Sequence, residues 1–201
     1  NLVDWRLHQC DQMVPQHSII ADIGRIFHHG VKELGGATHP IIPDRIEAGT
    51  FLVAGALTGG DIILEKVEPG HLTAVVEKLC VSGANIEKVD DRTLRVIGCP
   101  DIKPQDITTS PYPGFPTDMQ AQFMVLMTQA SGTSIITETI FDRRFSHVNE
   151  LLRLGANIEV NGDKAVVRGK TPLSGAEVIA TDLRASASLI MAGLIARGET
   201  V

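Results

Sequence analysis

Four short stretches carry side chains able to do chemistry. Residues 110–122 read SPYPGFPTDMQAQ. Prolines and a glycine crowd a loop that runs into a helix start, with Thr117 and Asp118 at its end. A carboxylate presented by so stiff a loop could take a proton from a hydroxyl. The same position also suits plain capping of a core helix. Residues 138–145 read ETIFDRRF, and Arg143 and Arg144 follow a β-branched run, which puts them at a strand end. They are either surface charges or a guanidinium that meets a carboxylate or phosphate bidentately. Residues 43–50 read PDRIEAGT and residues 181–188 read TDLRASAS. Asp44 and Asp182 sit where helix caps belong. Arg45 and Arg184 then fall in a first helical turn, where the helix dipole disfavours a cation. A cation placed there wants an anionic partner, and the two Asp/Arg pairs would lie on the same end of the architecture.

Composition narrows the chemistry. The chain has 201 residues and a net charge of −6, with no block of one sign. A broad basic face for nucleic acid is therefore not expected. Cys10, Cys80 and Cys99 are odd in number and match no zinc spacing, so neither a disulfide framework nor a metal site is indicated. Cys80 reads as a structural residue beside an apolar helix face. No Walker loop, dinucleotide fingerprint or nucleophile elbow is present. No apolar run approaches the ~18 residues of a membrane span. A reducing, cytoplasmic setting is the expectation.

The elements that must position these residues come from a repeat. Residues 79–87 read LCVSGANIE and residues 151–159 read LLRLGANIE. In the first copy Leu72, Val75, Val76 and Leu79 mark one helix face; in the second Phe145, Val148, Leu151 and Leu152 do so. Gly83 and Gly155 then occupy helix C-caps. Each is followed by a strand, a turn and a second strand, at 93–97 and 165–168, with Asn161-Gly162 as a hairpin turn. A second signature starts at each Asp. Apolar residues at offsets 1, 5, 8, 9 and 12 follow Asp118 (Met119, Phe123, Leu126, Met127, Ala130) and Asp182 (Leu183, Ala187, Ile190, Met191, Leu194). Leu52, Val53 and Ala56 repeat the last three offsets after Asp44. The unit reads strand, helix, strand, helix, strand, strand. The chain has no initiator Met and stops at Val201, where a strand should begin, so a partial chain is expected. That end would leave the helix after Asp182 partly uncovered.

PDRIEAGTFLVAGAL, PGFPTDMQAQF, TETIFDRRFSHVNELLRLGA and ATDLRASASLIMAGLIARGET resemble the UDP-N-acetylglucosamine enolpyruvyl transferases (1-carboxyvinyltransferases). The resemblance runs from about residue 30 to 201. Residues 1–29 form an unassigned lead-in, and 30–201 a partial domain of two full repeats plus the start of another. The implied fold is an inside-out α/β barrel of βαβαββ units, here incomplete. The implied reaction moves the enolpyruvyl group of phosphoenolpyruvate to the sugar 3-hydroxyl of UDP-N-acetylglucosamine and releases phosphate. It is the first committed step of peptidoglycan precursor synthesis, in the cytoplasm, and it requires no cofactor and no metal. The resemblance makes Asp118 the base and a sugar contact, and gives Ile140 a backbone contact to the nucleotide sugar. It places Arg144 near the enolpyruvyl carboxylate. Asp182, Arg184, Arg45 and Glu47 would line the cleft. The family's reactive cysteine belongs to its other domain, and none of Cys10, Cys80 or Cys99 matches it. Two alternatives stand beside this: the related shikimate-pathway enzyme, and an inactive truncated remnant with at most weak nucleotide-sugar binding.

Overall fold

The computed structural model describes residues 40–180 and 182–201. The lead-in at 1–29 lies outside the described residues. Residues Pro43–Val201 form one folded unit.

Asp44 caps the first helix as expected. Its Oδ1 accepts the N–H groups of Ile46 and Glu47 at 2.7 and 3.2 Å, and α1 runs from Arg45–Thr58. β1 (Asp61–Leu64), α2 (Thr73–Val81), β2 (Asn85–Asp90) and β3 (Thr93–Ile97) follow, and the strands pair antiparallel in the order β1-β3-β2. The next stretch gives β4 (Ile107–Thr108), a 3-10 turn at Thr117–Met119, α3 (Gln120–Thr128), β5 (Thr133–Thr137), α4 (His147–Arg153), β6 (Ile158–Asn161) and β7 (Lys164–Arg168). Its sheet runs β4-β5-β7-β6, with β4 parallel to β5 and the other pairs antiparallel. This is the complete strand-helix-strand-helix-strand-strand unit. The earlier unit repeats it from its helix onward. Last comes α5 (Leu183–Ile195), where Asp182 Oδ1 accepts the Ala185 N–H at 3.0 Å. The opening of a further unit follows. Ser174 and Arg197 form a parallel bridge equivalent to Ile102 with Ala130, and Val201 is hydrogen-bonded to Ala176 and Val178.

Both second helices end alike. Gly83 and Gly155 have φ of 106° and 91°. Ala84 and Ala156 N–H groups reach back to Leu79 and Leu151 carbonyls, and the glycine N–H groups to Cys80 and Leu152. These are paired Schellman closures, which require a residue tolerant of positive φ. Alanine at either site is expected to cost about 1–2 kcal/mol for the backbone conformation. Gly83→Ala should cost more than Gly155→Ala. Only at position 83 would the added Cβ meet Cys99 Sγ, at 2.8 Å. Urea midpoints of the two variants measure this, and equal losses would show that conformation alone sets the cost.

α1, α3 and α5 pack on one another, and the sheets lie outside them. All nine residues of α3 are buried. The outer strands β2 and β6 are largely exposed. The helices thus occupy the interior, where a nearly all-apolar helix belongs. The described strands form two sheets and do not close into a barrel.

The structure departs from the sequence pattern in four places. Leu152 is exposed, because it points about 100° away from buried Leu151 on α4. Cys80 is exposed rather than set against the core. The hairpin loop is Gly162-Asp163, since Asn161 still pairs with Lys164 in the ladder. On α5, Leu183, Ile190 and Leu194 are 86, 66 and 64% exposed, although Met119, Leu126 and Ala130, at the same offsets after Asp118, are fully buried. α3 packs against β5, β7 and α5, whereas α5 makes no comparable contact with a strand among the described residues.

Candidate active site

β4 and β5 run parallel, and a loop leaves the end of each. The loop after β4 is the proline-rich one. Its chain reaches the 3-10 turn that carries Thr117 and Asp118, and the cap positions of that turn and of α3 fall on Pro116 and Met119. Thr117 and Asp118 are therefore not at the cap positions expected from sequence. The loop after β5 carries Ile140 to Ser146, so Arg143 and Arg144 lie beyond the strand end rather than at it.

The two loops meet through an ion pair. Arg144 Nη2 donates to Asp118 Oδ1 at 2.7 Å, and Arg144 Nη1 donates to Thr117 Oγ1 at 2.6 Å. Arg144 also stacks over the Phe141 ring at 4.4 Å. Arg144 keeps 15% of its side chain exposed and Asp118 keeps 43%. The cation is thus fixed by its surroundings while the carboxylate reaches solvent. Arg143, with φ 55°, is exposed. The adjacent arginines divide the two sequence readings: Arg143 is the surface charge and Arg144 the positioned guanidinium.

Beneath the pair lies Glu138, which is 3% exposed. Its Oε1 accepts from Thr109 Oγ1 at 2.9 Å and from the Ile140 and Phe141 N–H groups at 2.9 and 3.2 Å. Its Oε2 accepts from Thr117 Oγ1 at 2.8 Å. Sequence reasoning assigned Glu138 no role. The available signal was a carboxylate between two threonines directly after an apolar strand. The Ile140 N–H is thereby engaged, so any contact between its backbone and a sugar falls to the carbonyl.

Thr117, Gln120, Ala121, Arg144, His147, Asp182 and Ala185 line a small cavity of about 10 Å³. It sits at the N-terminal ends of α3 and α5, where the helix dipoles present partial positive charge. Asp118, Arg144 and Asp182 are therefore gathered into one region. His147 was not foreseen. It is 4% exposed, and its Nε2 has no hydrogen-bond partner. Burial pushes its pKa down to about 4, against the attraction of Asp182 and with added repulsion from Arg144. Arg45 stacks over Tyr112 of the proline-rich loop at 5.0 Å, and Glu47 is exposed in the first turn of α1. Neither lines the cavity. Arg184 is the second residue of α5, and its side chain lies outside the described residues. No group of side chains suited to a metal ion occurs among the described residues. No helix among them is long and apolar enough to cross a membrane.

A unit of this topology, with a carboxylate and a guanidinium paired where its two loops meet, is enolpyruvyl transferase-like. Residues 19–201 match the model of the EPSP synthase (3-phosphoshikimate 1-carboxyvinyltransferase) family, and the chain belongs to that family. The match begins inside the stretch expected to be unassigned. The relatives it resembles are named UDP-N-acetylglucosamine 1-carboxyvinyltransferase. The one from Koribacter versatilis is 57% identical over 172 residues, 86% of this chain and 40% of that protein. The one from Desulfosudis oleivorans is 59% identical over 171 residues, 85% of this chain and 41% of that protein. This chain thus spans about two fifths of the length of these curated relatives. Among solved structures, the enolpyruvyl transferase NikO from Streptomyces tendae matches with a TM-score of 0.72 and 28% identity, over 80% of this chain and 38% of that one. EPSP synthase from Acinetobacter baumannii matches with a TM-score of 0.61, over 81% of this chain and 39% of that one. At 16% identity, it shares the fold alone.

Proposed function

We propose that this chain contributes one wall of a cytoplasmic enzyme that transfers the enolpyruvyl group of phosphoenolpyruvate to the 3-hydroxyl of UDP-N-acetylglucosamine. In this reading residues from about 30 onward belong to a domain whose repeats, completed, form the inside-out barrel. The observation that carries the reading is the partly exposed Asp118 carboxylate, held by Arg144 at the rim that also presents Asp182. The relatives named for this reaction, at 57 and 59% identity, favour it over the shikimate-pathway reaction.

The chemistry divides as follows. Asp118 accepts the proton of the sugar hydroxyl as that oxygen attacks the central carbon of phosphoenolpyruvate. A proton adds to the methylene carbon, giving a tetrahedral adduct. Loss of phosphate and of one proton from the methyl group so formed then restores the double bond. Arg144 stands beside the carboxylate of the transferred group, and Ile140 offers its carbonyl to the nucleotide sugar. Asp182, Arg184, Arg45 and Glu47 belong to the surrounding rim. Metal and cofactor have no part in the scheme. The product enters the building of the cell wall.

A second reading is a chain that binds nucleotide sugar weakly or not at all by itself. The exposed Leu183, Ile190 and Leu194 stripe on α5 favours it, because an uncovered apolar face promotes association. One experiment separates the two. The matched 172 residues replace their counterpart in the Koribacter versatilis relative, and phosphate release is measured with both substrates. The chimera is expected to turn over, and the chain alone is not. Orientation of two substrates supplies ~7–11 kcal/mol of such a barrier, and a single wall forgoes most of it. An inactive, folded chimera would reject the proposed reaction for this chain.

A further inference from the structure

We propose that Glu138 is the positioning residue that locks the proton-accepting carboxylate and its guanidinium together, acting through the Thr117 hydroxyl. The inference rests on the proposed transfer reaction for its kinetic consequence, but its structural basis is independent of it. Glu138 lies one residue past β5 and beside the end of β4. Thr109, one residue past β4, is fully buried and donates to Glu138 Oε1. Thr109 Oγ1 in turn accepts the Thr139 N–H at 2.9 Å, and the Thr139 hydroxyl donates to the Thr109 carbonyl at 2.6 Å. The two strand ends are thus stitched together at the carboxylate.

From this knot each loop receives one anchor. The Ile140 and Phe141 N–H groups fix the first turn of the loop that bears Arg144. The Thr117 hydroxyl fixes the turn that bears Asp118. The last link has a direction. Arg144 Nη1 can only donate, so Thr117 Oγ1 accepts from it and must spend its own proton on Glu138 Oε2. A carboxylate is the side chain that accepts at both oxygens with no proton of its own to place. In Glu138→Gln the amide nitrogen would confront either Thr117 or the three donors at Oε1. A buried donor facing a donor is left unsatisfied. Glu138 does not touch the reacting atoms; it sets where Thr117, Asp118 and Arg144 stand.

The test has two arms. Amide hydrogen exchange on this chain compares the parent with Glu138→Leu, which removes both acceptor oxygens at similar volume. Exchange at Ile140 and Phe141 should quicken by about tenfold, the usual worth of one hydrogen bond, while Leu126 in α3 stays protected. Unchanged exchange at both amides overturns the inference whatever the activity. The kinetic arm uses Thr117→Val and Thr117→Ser in the chimera. Thr117→Val should lower kcat by about 10²-fold, the scale of a small misplacement of a reacting group, with KM for UDP-N-acetylglucosamine little changed. Thr117→Ser keeps the hydroxyl and should restore most of kcat. A Thr117→Val chimera with parental kcat, or a serine variant as impaired as the valine one, overturns it. If the parent chimera is itself inactive, the transfer reading fails and the exchange arm alone decides the clamp.

Discussion

Asp118→Asn in the chimera is expected to lower kcat by about 10²–10⁴-fold, the usual contribution of a positioned general base. The substitution preserves shape. An asparagine oxygen can still accept from Arg144 Nη2, which now lies 2.7 Å from Asp118 Oδ1, so the loop that carries Arg144 keeps its anchor. What disappears is the ability to take a proton. KM for UDP-N-acetylglucosamine should change much less than kcat, because a hydrogen bond to the sugar remains possible while the transition-state interaction is lost. Urea unfolding of the variant chain should track the parent closely, since the Asp118–Arg144 pair is partly open to solvent and such pairs contribute little to stability. Parental turnover in the asparagine variant would leave Asp118 as a structural acceptor for Arg144 and nothing more.

The stability of this chain is expected to fall by about 3 kcal/mol as pH drops from near 6.5 to below 4, through His147 alone. The sign follows from the direction of the shift. His147 has its pKa lowered from 6.5 to about 4 in the folded chain. Between those values the unfolded chain holds a proton that the folded chain refuses. Acid therefore favours unfolding across that window, and the contribution is fully present above it. The cause is location. The imidazole is buried beside Ala121 and Ala185, at the N-terminal ends of two helices, with Arg144 nearby. Each of these opposes a second positive charge, and Asp182 offsets them only in part. Carboxylates titrate in the same range, so the informative quantity is the difference between the parent and His147→Phe. Phenylalanine fills the site without titrating. Denaturant titrations at intervals from pH 7 to pH 4 should show the parent losing its advantage over the variant. Two curves that stay parallel across the range would rule out a neutral, buried His147 as the source.

Much of this fold was legible in the sequence because it is locally encoded. Asp44 and Asp182 accept from backbone N–H groups two or three residues ahead, which is a short-range decision. Gly83 and Gly155 close their helices through residues within one turn. The identical GANIE runs then begin equivalent hairpins, although the first carries a bulge between Lys88 and Asp90 that the second lacks. PTDMQ and the Arg pair marked, by residue type, two loops that the structure brings together. Which arginine joins the pair was decided by tertiary structure. Arg144 is drawn inward by Thr117, Asp118 and the Phe141 ring, while its neighbour in the left-handed region turns to solvent. The same holds for burial on α5, where offsets identical to those of α3 carry exposed leucines, because periodicity records which face is apolar and not whether anything covers it. The roles of Glu138 and His147 were missed for a related reason. Their character comes from partners brought in by the pairing of β4 with β5 and the packing of α3 against α5. A lone Glu or His in a sequence carries no trace of the donors that will surround it, and only the assembled chain turns one into a buried anchor and the other into a neutral ring.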